Sequence, residues 1–342
     1  MPGFLINSYC IYKMRQIKAA ITALGAYLPD YVLTNAELET MVETNDEWIT
    51  TRTGIKERHI LKEPGKGSSY LGIKAGQDLI EKNNIDPKTI DLVLFATMTP
   101  DVLAASTGAY AATALGATNA FSFDLQSACS GFLYGISTAA AFIESGRYKR
   151  VLLIGADKMS SIVDYEDRTT CIIFGDGAGA ALFEANEEGL GFQNELLRVD
   201  GTGRDFLQAP NGGSQVPLNE DNITQKKQYL AQDGRTVFKR AISSMASISA
   251  ELLEKNQLSS NDIDWLVPHQ ANQRIIDATA KKLNIDAARV MSNIKYNGNT
   301  TSATLPLALV DYENQLKKGD NLIITAFGAG FSWGSIYLKW AY

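Results

Sequence analysis

The sequence predicts an α/β protein built from two halves that share one plan. Three observations carry this reading. Short, β-rich apolar runs alternate with helical patterns along the chain. Pieces of the first half recur in the second at a nearly constant offset. Glu81-Lys82-Asn83 and Ile90-Asp91 match Glu254-Lys255-Asn256 and Ile263-Asp264 at 173 residues, and VLLIGA (151–156) matches NLIITA (321–326) at 170. Finally, 342 residues with 45% apolar and 20% charged side chains suit about two units of ordinary domain size. Disorder, collagen-like fibre and coiled coil are excluded on composition.

Taken in order, residues 1–13 read as a leader, with Met14 as an alternative start. Residues 14–184 form the first half and 185–342 the second. Residues 90–98 and 150–156 read as buried strands, and 121–125 as an alternating strand. The Ala-rich 104–115 and the segment 130–145 read as helices, and Cys171 falls in an apolar strand pattern, CIIFG. The polar, Gly-containing stretch 201–234 suits either a lid or crossover around a site, or a surface insertion.

The charge sum, 32 Lys+Arg against 38 Asp+Glu, is −6 and argues against a general nucleic-acid binder. No apolar run reaches the ~18 residues of a membrane helix, and the start lacks a secretory signal pattern. The three cysteines, Cys10, Cys129 and Cys171, do not form a disulfide framework, which suits a reducing cytoplasm.

Cys129 lies in FDLQSACSGFLYG, a strand-to-helix turn crowded with small residues, as in a nucleophile elbow. A helix N-terminus there would favour the thiolate; a small buried core Cys is the alternative. Of the two histidines, His59 sits among charged residues. His269 lies between a strand and a helix, where α/β proteins build sites. Asn299, in GNTTSA, maps onto Cys129 at the 170 offset, so the two occupy equivalent turns; a plain helix cap is the alternative. FGAG (327–330), with Ala329, could bring backbone N–H groups to an oxyanion. FGDGAGA (174–180) reads as strand–turn–strand and not as a dinucleotide fingerprint. No metal-ligand spacing is present.

Cys129 in ACSGF, His269 in PHQAN and Asn299 in GNTTSA, in that order, resemble the Cys-His-Asn site of β-ketoacyl-acyl-carrier-protein synthase III. TNDEWITTRTGIKERHI (44–60), DRTTCIIFGDGAGA and FGAGFSWGS resemble the same family. Thiolases carry a second Cys in place of the Asn and elongating synthases two His; plant-type polyketide synthases lack the DEWITTRTGI signature. The resemblance implies a thiolase-like five-layer α-β-α-β-α fold of two duplicated halves, a homodimer, and no bound cofactor. Its substrates would be acyl-CoA and acyl-carrier protein. It also implies that Cys129 is acylated from a short acyl-CoA, with backbone N–H groups of Cys129 and Ala329 holding the oxyanion. His269 and Asn299 would then stabilise the enolate from malonyl-carrier protein. Thr44, Trp48, Arg52, Arg168 and Asn272 would bind CoA and pantetheine. Arg274, Lys281 and Lys282, extended by Lys239, form a basic face for an acidic carrier protein. Ala104 and Ala105 stand where relatives typically carry an aromatic and a Pro, which suits starters longer or more branched than acetyl. A Cys-His-Asn hydrolase and a non-catalytic carrier-binding partner are the other classes. The absence of a disulfide set opposes the first and the presence of Cys129 the second.

Overall fold

The protein is described by a computed structural model over residues 17–342; the expected leader, Met14 and Cys10 lie outside these residues. Two mixed sheets carry the architecture. The first contains β1 (Lys18–Tyr27), β2 (Leu92–Ala96), β3 (Phe121–Leu125), β4 (Arg150–Asp157) and β5 (Gly177–Asn186), in the order β1-β5-β4-β2-β3. The second contains β6 (Gly191–Val199), β7 (Trp265–Pro268), β8 (Asn321–Gly328) and β9 (Ser332–Lys339), in the order β7-β8-β9-β6. The order repeats: β6, β9, β8 and β7 stand where β1, β5, β4 and β2 stand in the first sheet. In both, the β4–β2 type of pair is parallel and its other neighbour antiparallel. An isolated parallel bridge between Leu266 and Val290 occupies the place of β3.

Helices complete five layers. The principal ones are α1 (Asp46–Thr53), α2 (Ser68–Lys82), α3 (Thr107–Ala114), α4 (Gly131–Glu144), α5 (Gly234–Lys255), α6 (Gln273–Leu283) and α7 (Thr304–Tyr312). α2 and α3 cover the outer face of the first sheet, α4 and α7 lie between the sheets, and α5 covers the second sheet with α6 against it. The sequence dictates these places. α2 buries Leu71, Ala75 and Leu79, a single stripe at four-residue spacing. α4 is apolar on most sides, with Phe132, Leu133, Ile136 and Ile143 buried, as a helix sandwiched between two sheets requires. The largest core joins both sheets through α4 and α7.

Three boundaries differ from the sequence reading. The division at 184/185 falls inside β5, and the second sheet starts at Gly191. The helix expected over 104–115 begins only at Thr107. Ser106 caps it, its Oγ accepting from Ala109 N at 3.1 Å, and Asp124 accepts from the Thr107 and Gly108 amides. Residues around Cys171 form turns and not a strand, because the Asp167 carbonyl captures the Thr170 and Cys171 amides.

Candidate active site

The turn Ala128–Ser130 joins β3 to α4 and places Cys129 at the floor of a cavity of about 490 Å³. Ala128 is left-handed (φ +45°), the sharp reversal an elbow needs. The turn packs on the end of β8. A Cβ added to Gly328 would lie 2.9 Å from Cys129 N and 3.2 Å from its Cβ, so only glycine permits this approach. Ala329, one residue on, lines the same cavity.

His269 and Asn299 line it too, the first from the end of β7, the second from the turn before α7. Both are buried. Asn299 Oδ1 accepts from Thr301 N at 2.9 Å. The local amide contact and the site position thus coexist, and the bond fixes Nδ2 as the group left to donate. His269 Nδ1 lies 2.7 Å from Thr304 Oγ1, which is 3.0 Å from the Thr301 carbonyl oxygen. The hydroxyl has one hydrogen. Turned to Nδ1 it supports a donating Nε2–H; turned to Thr301 it supports an Nδ1–H and an accepting Nε2.

Electrostatics set the protonation of the Cys129–His269 pair and leave Cys129 in need of a partner base. Burial pushes the Cys129 thiol up to about 12, with the charge of Asp157 adding to it, so the helix N-terminus does not yield a resting thiolate. Burial lowers His269 to about 3. The pair is therefore neutral thiol and neutral imidazole. Burial likewise raises Cys171, which lies in a separate apolar cluster.

The mouth is built by α1, α5 and α6. Trp48 and Arg52 line it; the Arg52 and Arg168 guanidinium carbons stand 5.3 and 5.5 Å from the Trp48 ring centre. Arg168 also donates to Glu43 O, and Thr44 Oγ1 beside it is buried without a partner among the described residues. Asn272 lines the mouth while capping α6: its Oδ1 accepts from Arg274 N and its Nδ2 donates to Arg52 O, each at 2.9 Å. Leu207, Leu230 and Gln232 wall the cavity from the two ends of the 201–234 stretch, which a short antiparallel pairing closes at its base. That stretch is therefore part of the site through these wall residues, while most of its other residues are exposed. Arg274, at the mouth, stacks on Phe238; Lys239, Lys281 and Lys282 are exposed on α5 and α6. Ala104 and Ala105 lie in an exposed bend, and Ala105 lines a different groove together with Tyr70 and Tyr110. Sequence reasoning missed Thr304, Thr301 and Asp157. The one available signal for Asp157 was an acidic residue closing the buried run VLLIGAD.

Among the described residues, no group of three or more His, Cys, Asp or Glu is placed to hold a metal ion. No helix among them is long and apolar enough to cross a membrane.

A duplicated α-β-α-β-α fold with Cys on one elbow and His and Asn on facing turns defines an acyl-transferring condensing enzyme of thiolase type. The family model for 3-oxoacyl-[acyl-carrier-protein] synthase III matches residues 123–201, and that for its C-terminal part matches 253–340. Beta-ketoacyl-[acyl-carrier-protein] synthase III 2 of Bacteroides thetaiotaomicron is 54% identical over 329 residues, 96% of this chain and 98% of the relative. The synthase III of Phocaeicola vulgatus is 55% identical with the same coverage. The crystal structure of 3-oxoacyl-[acyl-carrier-protein] synthase III from Aquifex aeolicus superposes with a TM-score of 0.87 at 40% identity, covering 95% of this chain and all of that one. The chain belongs to the β-ketoacyl-acyl-carrier-protein synthase III family.

Proposed function

We propose that this enzyme performs the initiating condensation of fatty-acid synthesis, joining a short acyl group from acyl-CoA to malonyl-acyl-carrier protein. The observation that carries the assignment of roles is the meeting of Cys129, His269 and Asn299 in one cavity whose floor backs onto Gly328. Cys129 Sγ attacks the thioester carbonyl while its proton passes to His269 Nε2. The Cys129 and Ala329 amides hold the oxyanion. Collapse breaks the C–S bond to CoA, and His269 returns the proton to the departing sulfur. Malonyl-carrier protein enters next. Its C–C bond to the carboxylate breaks and CO₂ leaves; with the neutral ring now in the tautomer in which Thr304 donates to Nδ1 and the ring hydrogen is on Nε2, His269 Nε2–H and Asn299 Nδ2–H donate to the enolate oxygen. The carbanion then attacks the acyl carbonyl and Cys129 leaves as a thiolate that takes up a proton. Each lost oxyanion donor would cost on the order of 2.7–4 kcal/mol of barrier.

CoA enters past Trp48, Arg52, Thr44 and Asn272. An adenine between Trp48 and Arg168 requires Arg168 to swing outward, since 5.5 Å leaves no room for a ring between them. A reducing cytoplasm suits the two free buried thiols, Cys129 and Cys171, and the family reading adds a homodimer that works without a bound cofactor.

Intact-mass analysis tests the assignment. Acetyl-CoA or a short homologue should add one acyl mass, located on the Cys129 peptide and absent in Cys129→Ser. Asn299→Ala should keep acylation and lose most malonyl decarboxylation. His269→Ala should impair both, because a thiol raised this far needs a base. Acylation at Cys171, or none with any acyl-CoA, refutes the mechanism.

A further inference from the structure

Asp157 closes β4 at the seam between the halves and is fully buried. Its Oδ1 accepts from the turn after β2: Thr97 Oγ1 at 2.9 Å, Met98 N at 2.7 Å, Thr99 N at 3.2 Å and Thr99 Oγ1 at 3.0 Å. Its Oδ2 accepts from the turn before α7: Ser302 Oγ at 2.6 Å, Ser302 N at 3.1 Å and Thr301 Oγ1. These donors are all hydroxyls and amides, drawn from both halves. Thr301 itself is left-handed (φ +51°), an outlier for a β-branched residue that persists only where its surroundings over-determine it. The same residue holds Asn299 directly and reaches His269 only through Thr304. Its N–H fixes Asn299 Oδ1, and its carbonyl receives the Thr304 hydroxyl that contacts His269 Nδ1.

We propose that Asp157 is a positioning residue: its carboxylate clamps Thr301 in the left-handed conformation and thereby sets the Asn299 amide against Cys129. The inference rests on the condensing reading above for its kinetic consequence, though not for its structural one.

Asp157→Asn replaces one acceptor oxygen by an NH₂ group. Hydroxyls can rotate to accept from it, whereas backbone amides cannot. Facing the first half, the new group would meet the Met98 and Thr99 amides; facing the second, only that of Ser302. The Thr301–Ser302 turn is therefore the one released. In a crystal structure of Asp157→Asn, Thr301 should leave the left-handed region and the Asn299 amide should shift in the cavity. Malonyl decarboxylation should fall on the order of 100-fold, the scale of a 1 Å misplacement. Acylation of Cys129 should fall far less, since Asn299 takes no part in it, His269 keeps its own contact with the Thr304 hydroxyl, and the charge that raises the thiol is gone. Thr301→Val, which keeps shape but not the hydroxyl, should show the same split, and Thr301→Ser should restore the wild-type ratio. An unmoved Thr301 and Asn299 with wild-type decarboxylation overturns the proposal. So does an equal loss of both half-reactions in Asp157→Asn and Thr301→Val, which would mark a merely structural residue. If the wild type itself fails to decarboxylate malonyl-carrier protein, the condensing reading fails, and the position of Asn299 in the variant structure still decides this one.

Discussion

Cys129 and His269 are neutral for the same reason, and the consequences differ in sign. Burial removes hydration from either charged form, so the thiol rises to about 12 and the imidazole falls to about 3. An unfolded His binds its proton near pH 6.5, whereas the folded one does so only near 3. Between these values the unfolded state holds more protons, so stability falls as the pH drops through that window. By pH 4.5 the loss from His269 alone is on the order of 3 kcal/mol. Urea unfolding at pH 7 and pH 4.5 should show this loss in the wild type and much less of it in His269→Gln. An equal loss in both would assign acid sensitivity to other groups. Residue identity at the site was legible because Cys129, His269 and Asn299 each sat in a short turn ahead of a helix. Their protonation was not: a helix N-terminus is visible in sequence, but full burial, which outweighs it, depends on what the other half of the chain brings over the site.

At the scale of elements, α6 shows how a cap can serve a binding site. Asn272 both accepts from Arg274 N and donates to the Arg52 carbonyl, tying α6 to α1 across the cavity mouth. Asn272→Ala should cost about 1 kcal/mol of stability, as N-cap losses do. It should also raise KM for acyl-CoA with little change in kcat, because Arg52 and Trp48 lose their anchor while Cys129 keeps its surroundings. Thermal unfolding together with steady-state kinetics checks both effects, and an unchanged KM would separate the cap from the site. The long buried strands and α4 were legible because their apolar runs exceed what any loop would carry. The start of α3 was not, since alanines at 104 and 105 favour helix while the distant Asp124 carboxylate and the Ser106 cap fix where it begins. Ala104 is in fact left-handed (φ +73°), a conformation no helix propensity reveals. The turn at Cys171 was misread for a similar reason: its pattern is apolar because it packs into a satellite core, not because it pairs in a sheet.

At the scale of the whole molecule, the duplication explains why the site lies where it does: equivalent turns of two sheets face one another, and each half supplies what the other lacks. The proposed dimer has a candidate face, since β3 is the edge strand of its sheet and Val102 and Leu103, ahead of α3, and Tyr110, on it, are exposed. The carrier protein must reach the cavity by a different route, and the mouth carries the charge for it. The chain is net −6, yet Arg274 stands at the mouth with Lys281 and Lys282 on the same helix and Lys239 on the neighbouring one. Arg274 and Lys281, seven residues apart, share a face. Asp277, the acidic group nearest them on that helix, accepts from Gln273 Nε2 at 2.7 Å. A local basic patch on an acidic protein steers an acidic partner to one place and repels it elsewhere, an effect that salt screens within about 8–10 Å. Arg274→Glu should therefore slow the carrier-dependent half-reaction at low ionic strength and flatten its salt dependence. Acylation from CoA at Cys129 should persist, because the phosphates are expected to meet Arg52 on α1. Equal slowing of both half-reactions, or a salt dependence unchanged from wild type, would place carrier docking on another face.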